Sequence, residues 1–279
     1  NAEKIAAALD MKLDKAFDDV TEKRGLSGSS TNKLKLNLSA IFTAAVKKEI
    51  MRRNPCKLAT PPKIDTAPAA YLNEAQCHEL LDLLSAQDDF QFEVIINLFI
   101  ASGIRAGELS ALYWEDINLE TGMMFIRYTL VKVGGEYVRQ EPKTADSTRR
   151  IILPEYIIGL LQKHKAEQAK QRFKMCGHWI NPELVFTNKS GGFYLGTNMN
   201  NKLKRVIVGT DLPQDLHLHS MRHTHASLLI NSDIAARVIA DRLGHSTTKT
   251  TLDTYSHVFA ESEARAATAI DMALFHKQN

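Results

Sequence analysis

Apolar residues recur along the start of the chain at steps of three and four. Over residues 3–23, Ile5, Leu9, Leu13, Phe17 and Val20 share one face at helical spacing. Gly25 and the stretch Leu26-Ser27-Gly28-Ser29-Ser30 interrupt the pattern. A second helix is predicted from about Thr31 to Met51, with Leu34, Leu38, Ile41, Phe42 and Ala45 along one face. Lys33, Lys35, Lys47 and Lys48 occupy its other face, and it runs into Arg52-Arg53-Asn54-Pro55. Pro55 disfavours helical geometry at Asn54 and marks a stop. Residues 57–70 hold Pro61, Pro62 and Pro68 in a stretch without periodicity, which reads as an extended linker.

Beyond the linker the pattern is mixed. Asn73 is placed to cap a helix carrying Leu80, Leu81, Leu83 and Leu84, with Glu74 in its first turn. A buried helix is expected over about 89–101 and a short one over 106–113. Met123–Tyr128 and Thr148–Leu153 are rich in β-branched and apolar residues and read as strands. Gly134-Gly135 suggests a turn between them, with a third short strand. Helices are expected at 154–172, 197–207, 220–231, 233–242, 247–256 and 261–275. The fold class is therefore mainly α with a small antiparallel sheet. The expected division is a helical segment over 1–60, a linker over 61–71 and a larger mixed domain over 72–279.

Composition narrows the class. With 44% hydrophobic and 24% charged residues among 279, the chain is an ordinary globular protein. Its most apolar run, Val94 to Ala101, is too short to span a bilayer and is broken by Asn97, so no membrane partner is expected. The chain opens on Asn1 without a signal peptide, and its first segment reads as N-terminally incomplete. Cys56, Cys77 and Cys176 form no CxxC pair and no disulfide framework, which fits a reducing cytoplasm. The net charge of +3 is modest, but residues 1–64 hold 13 Lys/Arg against 7 Asp/Glu. That leaves a basic first segment on a near-neutral body, an electrostatic footprint suited to phosphates or simply a solvated helix face.

Six of the ten histidines fall between His217 and His257. A metal site is one reading, but the ligand spacings of zinc sites are missing and no HExxH occurs, so neither metal nor cofactor is expected. Anion and proton chemistry is the other. His219 and Arg222 are three apart at a predicted helix start and could share a face. Arg offers a permanently charged fork for phosphate oxygens, and His exchanges protons near neutrality. Upstream, Glu108 follows Arg105 by one turn and could orient its guanidinium. Downstream come Leu243-Gly244-His245 and then Tyr255.

The ordered set resembles the tyrosine recombinase family, the phage-type integrases, over about residues 101–257. The boxes are Ala101-Ser102-Gly103-Ile104-Arg105-Ala106-Gly107-Glu108-Leu109, His219-Ser-Met-Arg222-His223-Thr, Leu243-Gly244-His245-Ser and Thr251-Leu-Asp-Thr-Tyr255-Ser-His257. The resemblance implies a catalytic domain over 72–279 and a core-binding domain over 1–60. It implies catalytic roles for Arg105, Lys143, His219, Arg222, His245 and Tyr255, with Glu108 in support. Lys143 matches the family's hairpin lysine, with Lys132 a rival for the position.

The implied reaction is metal- and ATP-independent strand transfer. Tyr255 attacks a phosphodiester to leave a 3′-phosphotyrosine and a 5′ hydroxyl, with His219 as candidate base and Lys143 as candidate acid. Arg105, Arg222 and His245 stabilise the nonbridging oxygens. Lys33, Lys35, Lys47, Lys48, Arg52, Arg53, Arg149 and Arg150 are the candidate DNA contacts. Arg149 and Arg150 are equally readable as a solvated edge strand. The implied partners are double-stranded DNA core sites, three further protomers with the C-terminal helix docking in trans, and accessory excision or DNA-bending proteins. A cytoplasmic, nucleoid-associated site-specific recombinase of a mobile element is the favoured reading. A type IB topoisomerase-like enzyme and a DNA-binding protein without cleavage are the alternatives.

Overall fold

A computed structural model of the chain describes residues 26–62, 70–141, 148–256, 258–259 and 270–271. The helix expected over 3–23, Lys143, His257 and nearly all of the helix expected over 261–275 lie outside the described residues. The chain divides into two units, Asn1–Pro68 and Ala69–Asn279.

In the first unit, helix α1 spans Gly28–Lys47. It begins before Thr31 because Ser27 caps it, its Oγ accepting the Ser30 N–H at 3.2 Å. It ends short of Met51, where Glu49 takes a φ of 60°. Leu34, Leu38 and Ile41 of its apolar face are exposed, and Phe42 and Ala45 are half-buried. Lys33, Lys47, Lys48, Arg52 and Arg53 are exposed, and Lys35 is half-buried. Asn54 closes the turn after α1. Its Nδ2 donates to Ser39 O, Ser39 Oγ and Thr43 Oγ1, each at 3.0 Å, and its Oδ1 accepts the Cys56 N–H at 2.9 Å.

The second unit is built around one apolar helix. Helix α2, Glu74–Ser85, opens with a reciprocal cap between Asn73 and Gln76. Helix α3, Phe90–Ser102, buries Val94, Ile95, Ile96, Leu98 and Phe99 completely. Such a helix, apolar on nearly every side, must sit inside, and α3 packs against α2 and two later helices. Helix α4, Ala106–Ser110, is shorter than expected. After it the chain turns extended, and Tyr113 pairs with Leu184.

Strands β1 (Ile117–Asn118), β2 (Met123–Ile126) and β5 (Arg149–Ile152) form an antiparallel sheet in the order β1-β2-β5, with Met123 opposite Ile152 and Ile126 opposite Arg149. Strands β3 (Thr129–Val133) and β4 (Glu136–Gln140) form a separate hairpin. Its turn places Gly134 and Gly135 both at positive φ, 59° and 96°, the geometry that matches strand twist in a two-residue loop. The expected strand Met123–Tyr128 stops at Ile126 because Arg127 turns to Asp116. Asp116 also takes Arg139 at 2.7 Å, and that guanidinium lies between the Tyr113 and Tyr128 rings, 3.8 and 3.6 Å from their centres. This clamp fastens the hairpin to the body.

Helices α5 (Glu155–Lys174), α6 (Gly196–Ile207), α7 (Leu218–Asn231), α8 (Ala236–Leu243) and α9 (Thr248–Thr254) follow. Helix α3 packs on α2, α5 and α7. Helix α8 begins later than expected because Asp233 adopts a φ of 56°. A main core joins α2 to α7, and a smaller one joins Ala226, Ile230, Ile239, Leu243, Tyr255 and Val258.

Candidate active site

The last turn of α8 is the organising feature. A helix end leaves carbonyls without partners, and these carry the negative end of the helix dipole. Here three successive carbonyls each accept from a different arginine. Arg149 Nε donates to Arg242 O at 2.7 Å, Arg222 Nη2 to Leu243 O at 2.6 Å, and Arg105 Nη2 to Gly244 O at 3.2 Å. Arg222 Nη1 also donates to Gly103 O at 2.7 Å. Gly244 closes α8 in the left-handed region, φ 65°, and a Cβ there would lie 3.0 Å from Arg149 Nη1. Glycine is required for both reasons.

Glu108 binds two of these arginines. Its Oε1 accepts from Arg105 Nη1 at 2.8 Å and from Arg149 Nη1 at 3.1 Å. Its Oε2 accepts from Arg149 Nη2 at 2.8 Å and from the Arg105 backbone N–H at 2.9 Å. Burial by itself would raise the carboxyl pKa, but the bonds and charge of Arg149, then of Arg105, outweigh it and hold the pKa below its ordinary value. Burial, followed by the charges of Arg105 and Arg149, lowers the pKa of Arg222 to about 9. Three guanidiniums thus converge against one carboxylate, leaving an excess of positive charge suited to an anion.

Helix α7 supplies the imidazoles. His217 caps it, its Nδ1 accepting the Ser220 N–H at 3.1 Å. His219 is exposed, and partial burial of its ring followed by the charges of Arg222, His217 and Arg105 lowers its pKa. His223 stands one turn on, its ring edge-to-face with that of His219 at 4.7 Å. His223 Nδ1 is 3.1 Å from the Tyr255 hydroxyl. Tyr255 sits at the end of α9 in the smaller core and is only 2% exposed. Burial pushes its pKa up to about 12, against the lowering field of Arg222. His245 follows α8, with Nδ1 2.9 Å from Thr251 Oγ1, and burial then Arg222 depress its pKa to about 4.

The structure therefore brings together Arg105, Glu108, Arg222 and His245, with His219 and Tyr255 on the adjoining row of rings. Lys143 lies outside the described residues. The solvated-edge reading of Arg149 is corrected: its side chain is 6% exposed and bound by Glu108. The signal was present in the strand alternation. Arg149, Ile151 and Leu153 share one face, and the latter two are buried, whereas Arg150 and Ile152 face out. Sequence reasoning also passed over the direct neighbour of the Tyr255 hydroxyl, His223, although His219 and His223 are four apart and share a helix face. Among the described residues no group of three His, Cys, Asp or Glu is placed to hold a metal ion. No helix among them is long and apolar enough to cross a membrane.

Comparison with known proteins shows which family and fold the chain is similar to. A family model described as the phage integrase family matches residues 70–262. The ICEBs1 integrase of Bacillus subtilis strain 168 is 28% identical over 247 residues, covering 88% of this chain and 66% of that protein. The integrase of Staphylococcus phage L54a is 27% identical, covering 67% of this chain and 55% of that protein. A XerC-like tyrosine recombinase of Caldanaerobacter subterraneus subsp. tengcongensis is 24% identical, covering 96% and 72%. The chain thus spans just under two thirds of the length of the first of these relatives and about half of the phage enzyme. Among solved structures, the Tn1549 transposon integrase in complex with circular intermediate DNA shares the fold, with a TM-score of 0.73 at 22% identity over 95% of this chain and 84% of that one. The XerH site-specific recombinase bound to difH shares it with a TM-score of 0.67 at 18% identity, over 96% of this chain and 72% of that one.

Proposed function

Because the chain belongs to the phage integrase family, the tyrosine recombinases, we propose that it is a site-specific DNA recombinase that integrates and excises a mobile element. The observation that carries this reading is the arginine cluster beside Tyr255. Arg105, Arg149 and Arg222 converge on Glu108 and the end of α8, and the charge of Arg222 reaches the tyrosine hydroxyl.

A phosphodiester repels nucleophiles because it is already anionic. In the proposed reaction, Arg105 and Arg222 neutralise the charge that grows on the nonbridging oxygens, and His245 donates a further hydrogen bond. Arg149 holds Glu108 and so fixes Arg105. Tyr255 loses its proton to an imidazole of α7, His219 being the one the motif designates. Its oxygen bonds to phosphorus as the bond to the 5′ oxygen breaks. Lys143 protonates that leaving oxygen. The ester conserves the bond energy, and a 5′ hydroxyl from a second strand reverses the step. Lys33, Lys35, Lys47, Lys48, Arg52, Arg53 and Arg150 are proposed to contact the DNA backbone from a core-binding domain and from the sheet edge. Assembly as a tetramer on two core sites, with the C-terminal helix docking in trans, belongs to the same proposal, as do accessory proteins and a cytoplasmic, nucleoid-associated location.

A nicked duplex carrying a candidate recombination site tests it. Incubation in chelator and quenching in denaturant should trap a covalent protein–DNA adduct with the parent and none with Tyr255→Phe. Tight binding without adduct by the parent would overturn the enzymatic reading in favour of a DNA-binding protein. Relaxation of supercoiled DNA lacking the site would favour the topoisomerase alternative.

A further inference from the structure

We propose that His223, rather than His219, is the residue that takes the proton from Tyr255. This rests on the recombinase reading above and deepens it. Of the α7 imidazoles, His223 is the one whose ring nitrogen lies at hydrogen-bond distance from the nucleophile, Nδ1 to hydroxyl 3.1 Å. With hydrogen on Nε2, the Nδ1 lone pair accepts the phenol O–H, which is the arrangement proton transfer needs. The Tyr255 and His223 rings stand 5.5 Å apart and inclined at 63°, so the contact joins two packed rings.

His219 is differently placed. It sits one turn earlier on α7, exposed, with its ring edge-on to His223 at 4.7 Å and to His217 at 6.3 Å. The row His217, His219, His223, Tyr255 runs from the helix start inward, with His223 against the nucleophile and His219 on its outer side. Among the described residues, the groups facing His223 include His219 on its own helix and Tyr255 from the chain following α9, with Arg222 acting on that hydroxyl.

The step balances. The phenol proton passes to His223 Nδ1, giving an imidazolium. The phenolate oxygen forms the bond to phosphorus, and the electron pair of the breaking bond leaves on the 5′ oxygen. In the reverse direction the strand's 5′ hydroxyl displaces Tyr255, and the imidazolium returns the proton to the departing phenolate. His223 is thus the base in cleavage and the acid in rejoining. His219 is left to the phosphate or to proton exchange with solvent.

Single-turnover adduct formation on the nicked duplex separates the roles. His223→Gln keeps a polar side chain but takes up no proton. It should slow adduct formation by about 100-fold or more, and the defect should shrink as pH rises toward the tyrosine pKa. DNA affinity should stay within a few-fold of the parent. A His223→Gln rate within threefold of the parent overturns the proposal, as does a rise in rate, which would make the contact a resting latch. A pH-dependent defect found in His219→Gln and absent from His223→Gln overturns it in favour of His219. If the parent itself forms no adduct, it is the recombinase reading that fails. Should His223→Gln not fold, the contact is tested in the folded parent by isotope-labelled histidine. Tyr255→Phe should move the His223 Nδ1 resonance, and an unmoved resonance overturns the proposal.

Discussion

Glu108 is the residue on which the anion site depends most. Its side chain is 5% exposed and accepts from Arg105 and Arg149 through both oxygens. Removing one partner of a buried pair strands the others, at a cost of roughly 3–5 kcal/mol. Glu108→Ala should therefore lower stability by about that amount in urea unfolding, and cleavage should fall with it. The carboxyl pKa is depressed in the folded state. Its contribution is thus present above the unfolded value of about 4.3 and lost as pH falls through the lower folded value. The difference between the parent and Glu108→Gln should shrink over that acid window. Tyr255 presents the complementary case. Burial raises its pKa to about 12, so in the proposed reaction it needs a base to give up its proton.

At the scale of elements, the end of α8 and the start of α4 are joined by arginine side chains that donate to backbone carbonyls. Gly103 ends α3 at φ 62° and gives its carbonyl to Arg222. A Cβ at Gly103 would lie 2.7 Å from His225 Cδ2 and 2.8 Å from Leu243 Cδ2. Gly103→Ala should destabilise by about 1–3 kcal/mol, from strain and overpacking together, and should weaken cleavage through Arg222. Denaturant titration and the adduct assay check the two effects. His225 joins the same elements. It is 4% exposed, its Nδ1 lies 2.8 Å from Ile100 O, and burial lowers its pKa to about 4. The unfolded chain takes up a proton near pH 6.5 and the folded one does not. Stability should therefore fall between about pH 6.5 and 4, by on the order of 3 kcal/mol from this residue. Unfolding at pH 7 and pH 5 should show the slope, and His225→Gln should flatten it.

At the scale of the molecule, charge is divided between units. The first 64 residues carry a net +6 while the whole chain carries +3, and Lys33, Lys47, Lys48, Arg52 and Arg53 are exposed. Duplex affinity should fall steeply with salt, and each of these residues that meets a phosphate should lower the logarithmic slope by about one when replaced by alanine. An unchanged slope across all the single variants would remove this unit's basic side chains from the DNA interface. The arginine cluster contributes differently. Its charge is organised by α8 and Glu108, so its effect should appear in cleavage rate more than in salt-dependent affinity.

Much of this protein is legible along the chain. Periodicity locates most helices of the second unit within a few residues, because their apolar faces must meet a core. The boxes around Arg105, Arg222, His245 and Tyr255 mark the family, since few families carry those side chains in that order. Three outcomes needed the tertiary structure, the second of them with a hint in the strand alternation. Strand Met123–Ile126 ends early because Asp116, just before the paired strand β1, captures Arg127. Arg149 turns inward because a buried carboxylate and an open helix end await it. The imidazole that meets Tyr255 is set by how α7 and the chain after α9 pack. Local spacing decides which residues share a face. Which of them touches the Tyr255 hydroxyl depends on the angle between elements far apart in sequence, and no local pattern encodes that angle.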